Sequence, residues 1–296
     1  MALTLAEASK LSNDILLTGV IETIIYDSPV LQALPFVEIV GNGLTYNQEN
    51  EAPAVSFYDV GDDWQESTPT FTQKTATLKI LGGDADVDNF LAATRSNIQD
   101  LEAAIVQLKA KAVQQKFDDT FINGDTVVDA KSFDGIDKLC AAGHTISMGT
   151  DGDTLTLEKL DELIDRLKGG KPEMLLMSKR SRRKLTALSR GSSSNLVEFD
   201  RNEFGQMVQY YGGVPIGVND WISDAQTVGA SDDCSTIYAL KFGEGALAGL
   251  TSPGGLQVER VGSLEAKDAT RTRVKWYVSL ALFNSLKLAK LIGVRD

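Results

Sequence analysis

Between Asp86 and Phe121 the chain contains no proline and no glycine, and its apolar residues recur mostly three or four positions apart. Val87, Phe90, Leu91, Ile98, Leu101, Ile105, Leu108, Ala112, Phe117 and Phe121 mark the stripe. That period is helical. At 1.5 Å per residue it predicts a helix over 86–122 roughly 50 Å long. Globular helices usually stop after about three to four turns, so this one reads as a spine for other elements. Charges do not flank the stripe consistently, which disfavours a coiled coil.

The segment before the spine has a different pattern. Gly82-Gly83-Asp84-Ala85-Asp86 reads as a turn carrying helix-capping residues. Upstream, Val37, Ile39 and Leu44 begin a strand-like stretch. Strand character returns at 75–80, where Ala76, Leu78 and Ile80 alternate with Thr75, Thr77 and Lys79. Residues 46–70 hold Glu49, Glu51, Asp59, Asp62, Asp63 and Glu66, with no lysine or arginine. Two strand signals around a polar middle predict a long acidic hairpin over 36–81 that projects from the body. Tyr58 and Trp64 lie in it and would be poorly buried in a lone monomer, which points to a second chain. Residues 1–26 read as an amphipathic helix through Leu5, Ala8, Leu11, Ile15, Val20 and Ile24, stopped at Asp27-Ser28-Pro29. With too few apolar positions for a domain, residues 1–35 are expected to form an arm.

Asn123-Gly124-Asp125 ends the spine, and 125–155 is loop-rich. A helix is expected over 157–168, ending at Gly169-Gly170. A strand follows at 174–177, then Ser178 as cap to a basic helix reaching Arg190, then a loop from Gly191. Further strands lie near 214–219 and 235–241. Three or four short strands with helices between them make an α+β domain. Leu256, Val258 and Val261 then precede a strand in which Thr272, Val274, Trp276, Val278 and Leu280 share one face. Arg271, Arg273, Lys275 and Tyr277 share the other.

Composition narrows the function. With 41 acidic against 29 basic residues the formal net charge is −12, so the chain does not coat DNA or anionic lipid by bulk attraction. No run reaches the roughly 20 apolar residues of a membrane helix, and the N-terminus lacks the pattern of a secretory signal. Cys140 and Cys234 are the two cysteines, in keeping with a reducing cytosol. His144 is the one histidine, which leaves little for acid–base or zinc chemistry.

The candidate motifs are incomplete. Cys140 and His144 have helical spacing for a thiolate–imidazole pair, but Gly143 interrupts and no third group is evident. Asp151-Gly152-Asp153 opens like a calcium loop and lacks the rest of its ligands. Gly82-Gly83 and Gly212-Gly213 carry no phosphate-loop lysine. No catalytic residue, cofactor site or metal site is expected. The segment 179–190 holds six bases and no acid. Pairing between subunits is the favoured reading, ahead of a solvated face or DNA contact. The inter-subunit contact residues are then Lys179, Arg180, Arg182, Arg183 and Lys184 on one side. Glu49, Glu51, Asp59, Asp62, Asp63, Trp64 and Glu66 of the acidic hairpin form the other.

The order of these segments resembles the major capsid protein of tailed bacteriophages, the Hong-Kong-97-type coat fold. SPVLQALPFVEIV, KTATLKILGGDADVDNF, FINGD, FDGIDKL, GGVPIGVNDWI and RTRVKWYVSLALFNSLKLAKLIGV carry the likeness. The resemblance implies an α+β coat fold with an N-terminal arm (1–35), an extended hairpin loop (36–81) and a peripheral domain (82–145) containing the spine. An axial domain (146–250) and a return to the peripheral sheet (251–296) complete it. It implies hexamers and pentamers forming an icosahedral shell around double-stranded DNA, with loops lying over neighbours. The expected location is the virion capsid, assembled in the bacterial host cytoplasm without a membrane. No scaffolding segment precedes the arm, so scaffolding is expected from a separate protein, beside a portal and a candidate decoration protein. Some members crosslink through a loop lysine; residues 44–73 have none and Lys74 lies at the base, so non-covalent assembly is expected. The rival readings are an encapsulin compartment and, from another class, a soluble hydrolase using the acidic clusters as a metal site.

Overall fold

The computed structural model describes residues 28–51, 55–64, 66, 70–90, 101–191, 197–201 and 207–295. The helix expected over 1–26 and the loop expected after Gly191 fall outside them. Ser28 caps α1 (Pro29–Ala33), accepting the Leu31 amide at 3.2 Å, and Pro29 sits in the first turn, where a missing N–H costs nothing. Ser28-Pro29 therefore starts a helix. β1 (Phe36–Glu38), β2 (Gly43–Glu51), β3 (Thr70–Thr77) and β4 (Lys79–Asp88) follow, then α2 (Leu101–Asn123) and α3 (Ile136–Leu139). Next come β5 (Thr145–Ser147), β6 (Asp153–Thr154), α4 (Leu157–Asp165), β7 (Met174–Met177) and α5 (Lys179–Gly191). β8 (Val197–Arg201), β9 (Met207–Tyr211), β10 (Val214–Val218), β11 (Gln226–Val228) and β12 (Ser231–Leu240) continue the chain. It closes with β13 (Leu247–Ser263), β14 (Ala269–Leu282) and β15 (Leu288–Arg295).

Three sheets organise these elements. β2 and β3 pair as an antiparallel ribbon, from Gly43↔Thr77 to Glu51↔Thr70. A four-stranded sheet has the order β1-β13-β14-β4. Among the described residues a nine-stranded sheet runs β5-β15-β12-β7-β10-β9-β8, with β6 and β11 at its sides. Its two faces read directly from period-2 alternation. Leu176, Tyr238 and Leu240 join the core around α2, Trp276 and Val278. Leu175, Met177, Ile237 and Ala239 join a second core with Leu160 and Leu163 of α4 and Leu185 of α5.

The structure corrects several expectations. Residues 82–88 are strand, not turn and helix: β4 pairs with β14 from Lys79↔Val278 to Asp88↔Ala269. Ala85 and Val87 point inward, while Asp84 and Asp86 point out to Arg273 and Arg271, each at 2.6 Å. That alternation and its ion pairs outweigh a helical start. Asn89 and Phe90 are helical, residues 91–100 of the expected spine lie outside the described residues, and α2 runs for 23 residues from Leu101, about 35 Å. Its buried face is Val106, Ala110, Val113, Phe117 and Phe121, and Leu108 is 68% exposed. Among the described residues the sequence stripe runs across two adjacent faces of the helix. Ile80 is exposed, because the chain steps from ribbon to sheet at Leu78 and the alternation restarts.

α4 ends at Asp165 rather than 168, since the Lys168 amide turns to the Leu286 carbonyl. Residues 146–250 carry more than the three or four strands expected, with β6 to β12 all inside them. The 251–296 segment is also divided. β13 and β14 lie in the four-stranded sheet, but β15 lies between β12 and β5. Leu288 of β15 enters the first core and Ala289, Leu291 and Val294 the second, as suits a strand covered on both faces.

Candidate assembly surfaces

The ribbon is anchored at its root. Leu44, Tyr46, Ala76 and Leu78 pack with Ile39, Leu250 and Ala281, and the Tyr46 ring lies 4.9 Å from Phe283. Burial pushes the Tyr46 hydroxyl pKa up. At the tip Asp59 and Asp62 close a turn: the Asp62 amide donates to Asp59 O, and the Asp59 amide to Asp62 Oδ2 at 2.7 Å. Gly61 takes the left-handed φ of +101° there. Trp64 stacks on Tyr58 at 4.5 Å and is still 80% exposed. Val55, Phe57 and Val60 are almost wholly exposed, framed by Asp59, Asp62, Asp63 and Glu66. Glu49 and Glu51 lie on β2, opposite Phe71 and Thr70.

The five bases at the start of α5 have separate roles. Ser181 and Leu185 face inward. Lys179 pairs with Asp220 at 2.6 Å. Arg180 donates to the Asp233 and Val294 carbonyls at 2.6 and 3.4 Å and lies 3.6 Å from Asp224. It is therefore a tie within its own chain. Arg182 and Arg183 are exposed and Lys184 is half-buried. The Arg182 guanidinium has no partner among the described residues.

A groove of about 480 Å³ opens beside this helix. Pro29 of α1, Lys111, Gln114 and Asp118 of α2, Lys179 and Arg182 of α5, and Trp221 line it. Asn123 holds the turn by donating to the Trp221 carbonyl at 3.0 Å. On the spine side, Asp118 is 5% exposed and accepts the Ser28 hydroxyl at 2.7 Å.

The family model for the SU10 major capsid protein matches residues 18–251. The chain belongs to that family. No curated protein matches the sequence. Among solved structures it is similar to the holo-SrpI encapsulin complex from Synechococcus elongatus, with a TM-score of 0.70 and 18% identity over 90% of this chain and 86% of that one. The capsid of the native GTA particle matches at TM-score 0.63 and 15% identity, over 90% of each chain. A Microbacterium phage Oxtober96 chain matches at 0.63 and 15%, over 91% of each. Identities this low show the fold, which is the Hong-Kong-97-type coat fold; the family shows a capsid shell protein of the virion.

In this capsid protein the incomplete motifs have structural explanations. Cys140 Sγ lies 3.8 Å from the His144 carbonyl, not its ring. Burial pushes the thiol pKa up and the imidazole pKa down, which suits neither a thiolate nor an imidazolium. Asp151 accepts the Ala230 amide at 2.8 Å and so braces a turn. Among the described residues no cluster of three or more His, Cys, Asp or Glu is placed to hold a metal, and no helix is long and apolar enough to cross a membrane.

Sequence reasoning missed Asp118 and Trp221. The signal for Asp118 was present, because it follows Phe117 on the inward face of the spine. Burial pushes its pKa from 3.8 to about 6, against the hydrogen bonds from Ser28 and Gln114. A carboxyl raised on folding stabilises most below its unfolded value, and that contribution is lost as pH rises through 6. A tenfold change in proton affinity is worth about 1.4 kcal/mol, so the cost of ionised Asp118 at neutral pH is roughly 3 kcal/mol. Asp118→Asn keeps an acceptor for Ser28 without the charge. Chemical denaturation should find the variant more stable than wild type at pH 7.5, with the gap closing towards pH 4. A gap that does not change with pH would refute the assignment.

Proposed function

We propose that the chain is the major coat subunit of a tailed bacteriophage, forming hexamers and pentamers that close an icosahedral shell around double-stranded DNA. One observation carries this reading: a two-stranded ribbon presents Phe57, Val60 and Trp64 to solvent inside an acidic frame. Such a surface is costly in a lone monomer and useful once a neighbour covers it. In this role β2 and β3 form the extended loop, α2 with the four-stranded sheet the peripheral domain, and the nine-stranded sheet the axial domain. The acids of the loop and the exposed bases of α5, Arg182 and Arg183 foremost, are contact surfaces between subunits. Charge pairing there sets register, while many modest interfaces together close the shell. A scaffolding protein, a portal and a decoration protein are the partners such a subunit works with, in the host cytoplasm.

Electron microscopy of the purified protein tests this, with closed shells as the expected result. A small oligomer as the sole species would refute it. Residues 44–73 contain no lysine, so shells boiled in denaturant should run as monomer, and a ladder of covalent multimers would contradict non-covalent assembly. The encapsulin likeness supports a second reading on the same fold. A shell that co-purifies with one enzyme cargo and never packages DNA would favour it.

A further inference from the structure

The groove beside α5 and the ribbon tip are complementary in two separate ways. The first is charge. Lys111 and Arg182 border the groove, and neither has an ion-pair partner among the described residues. The tip carries Asp59, Asp62 and Asp63, all exposed, in a stretch without a single base. In a chain of net charge −12, a concavity bordered by unpaired cations is a local exception that favours an acidic guest.

The second is shape. About 480 Å³ lies within the range of pockets that bury a whole anchor group. Trp221 and Pro29 give it an apolar wall, and Trp221 is itself 40% exposed. Trp64 is the largest side chain at the tip, already stacked on Tyr58 and so partly pre-ordered. Buried tryptophan is among the commonest anchors of protein interfaces.

Resting on the shell reading above, we infer that this groove is the seat for the ribbon tip of a neighbouring copy of the chain, with Trp64 as its anchor. The acids on either side of the anchor then meet Lys111 and Arg182. Asp220 keeps Lys179 engaged within its own subunit, so the unpaired cations do the recognising.

A disulfide trap tests the seat directly. Ser56→Cys at the exposed tip and Gln115→Cys on the groove rim, in one chain, leave Trp64, the tip acids, Lys111 and Arg182 intact. The native Cys140 and Cys234 are buried and stay silent. Oxidised shells should give dimers and higher multimers on a non-reducing gel that collapse to monomer with reductant. Shells that form and yield only monomer overturn the seat while leaving the shell reading standing. A wild-type protein that never forms shells overturns that reading instead. Trp64→Ala gives a second measure. Its shell yield should fall at least tenfold with the thermal midpoint unchanged, because the side chain is exposed in the subunit. A wild-type yield from Trp64→Ala also overturns the proposal.

Discussion

Shells should not form when Arg182 and Arg183 are both replaced by glutamate, while the subunit stays folded. Both side chains point outward from α5, whose inward face is Ser181 and Leu185. The double reversal therefore leaves the second core untouched, and surface substitutions of this kind usually change stability by less than about 0.5 kcal/mol. At the proposed contact it replaces attraction to Asp59, Asp62 and Asp63 with repulsion. Like charges brought together at an interface cost several kcal/mol, and a symmetric shell repeats that cost at every equivalent contact. Size exclusion should show capsomers or monomers in place of megadalton particles, with an unchanged circular dichroism spectrum. Adding Asp62→Lys and Asp63→Lys to the same chain should recover part of the yield. Shells at wild-type yield from the double reversal would remove charge pairing from the account.

How far such an interface can be read from sequence depends on locality. The ribbon and β14 were legible because each is a single alternating run; Val274, Trp276 and Val278 face the core as their spacing demands. The start of the spine was not. Ala85 and Val87 are two apart, yet Val87 and Phe90 also fit a helix, and only the partners Arg271 and Arg273 decide for strand. β15 carries LAKLIGV, apolar enough for either sheet, and its place is set by pairing with β12 and β5. The basic helix was visible as a run of charge. Which bases remain available was not, since Arg180 is engaged by carbonyls at Asp233 and Val294. The groove had no local signature at all. It gathers Pro29, Lys111, Arg182 and Trp221 from four distant segments, and only the packing of α1, α2 and α5 brings them together.

The same non-local packing puts the largest stability effect at Phe117. The side chain is fully buried. Its ring lies 6.2 Å from Phe36 on β1, 6.2 Å from Phe121 one turn along the spine, 5.9 Å from Phe133 in the following loop and 5.1 Å from Trp276 on β14. One side chain thus joins β1, α2, the loop after it and the four-stranded sheet. Phe117→Ala removes those contacts and leaves a cavity that elements pinned by sheet pairing cannot easily close, so the expected cost is about 3–5 kcal/mol. Against a total of about 5–15 kcal/mol for a typical fold, that is a large share. Urea denaturation should show the midpoint falling accordingly, with Phe117→Leu losing less. Leu108→Ala, on the same helix but 68% exposed, should change it by about 0.5 kcal/mol or less. If Phe117→Ala cost no more than Leu108→Ala, the spine would not be held by this aromatic cluster. If the costs differ as expected, the four-stranded sheet is held by the inward face of α2, which frees its outward face, with Lys111 and Gln115, for contact with a neighbour.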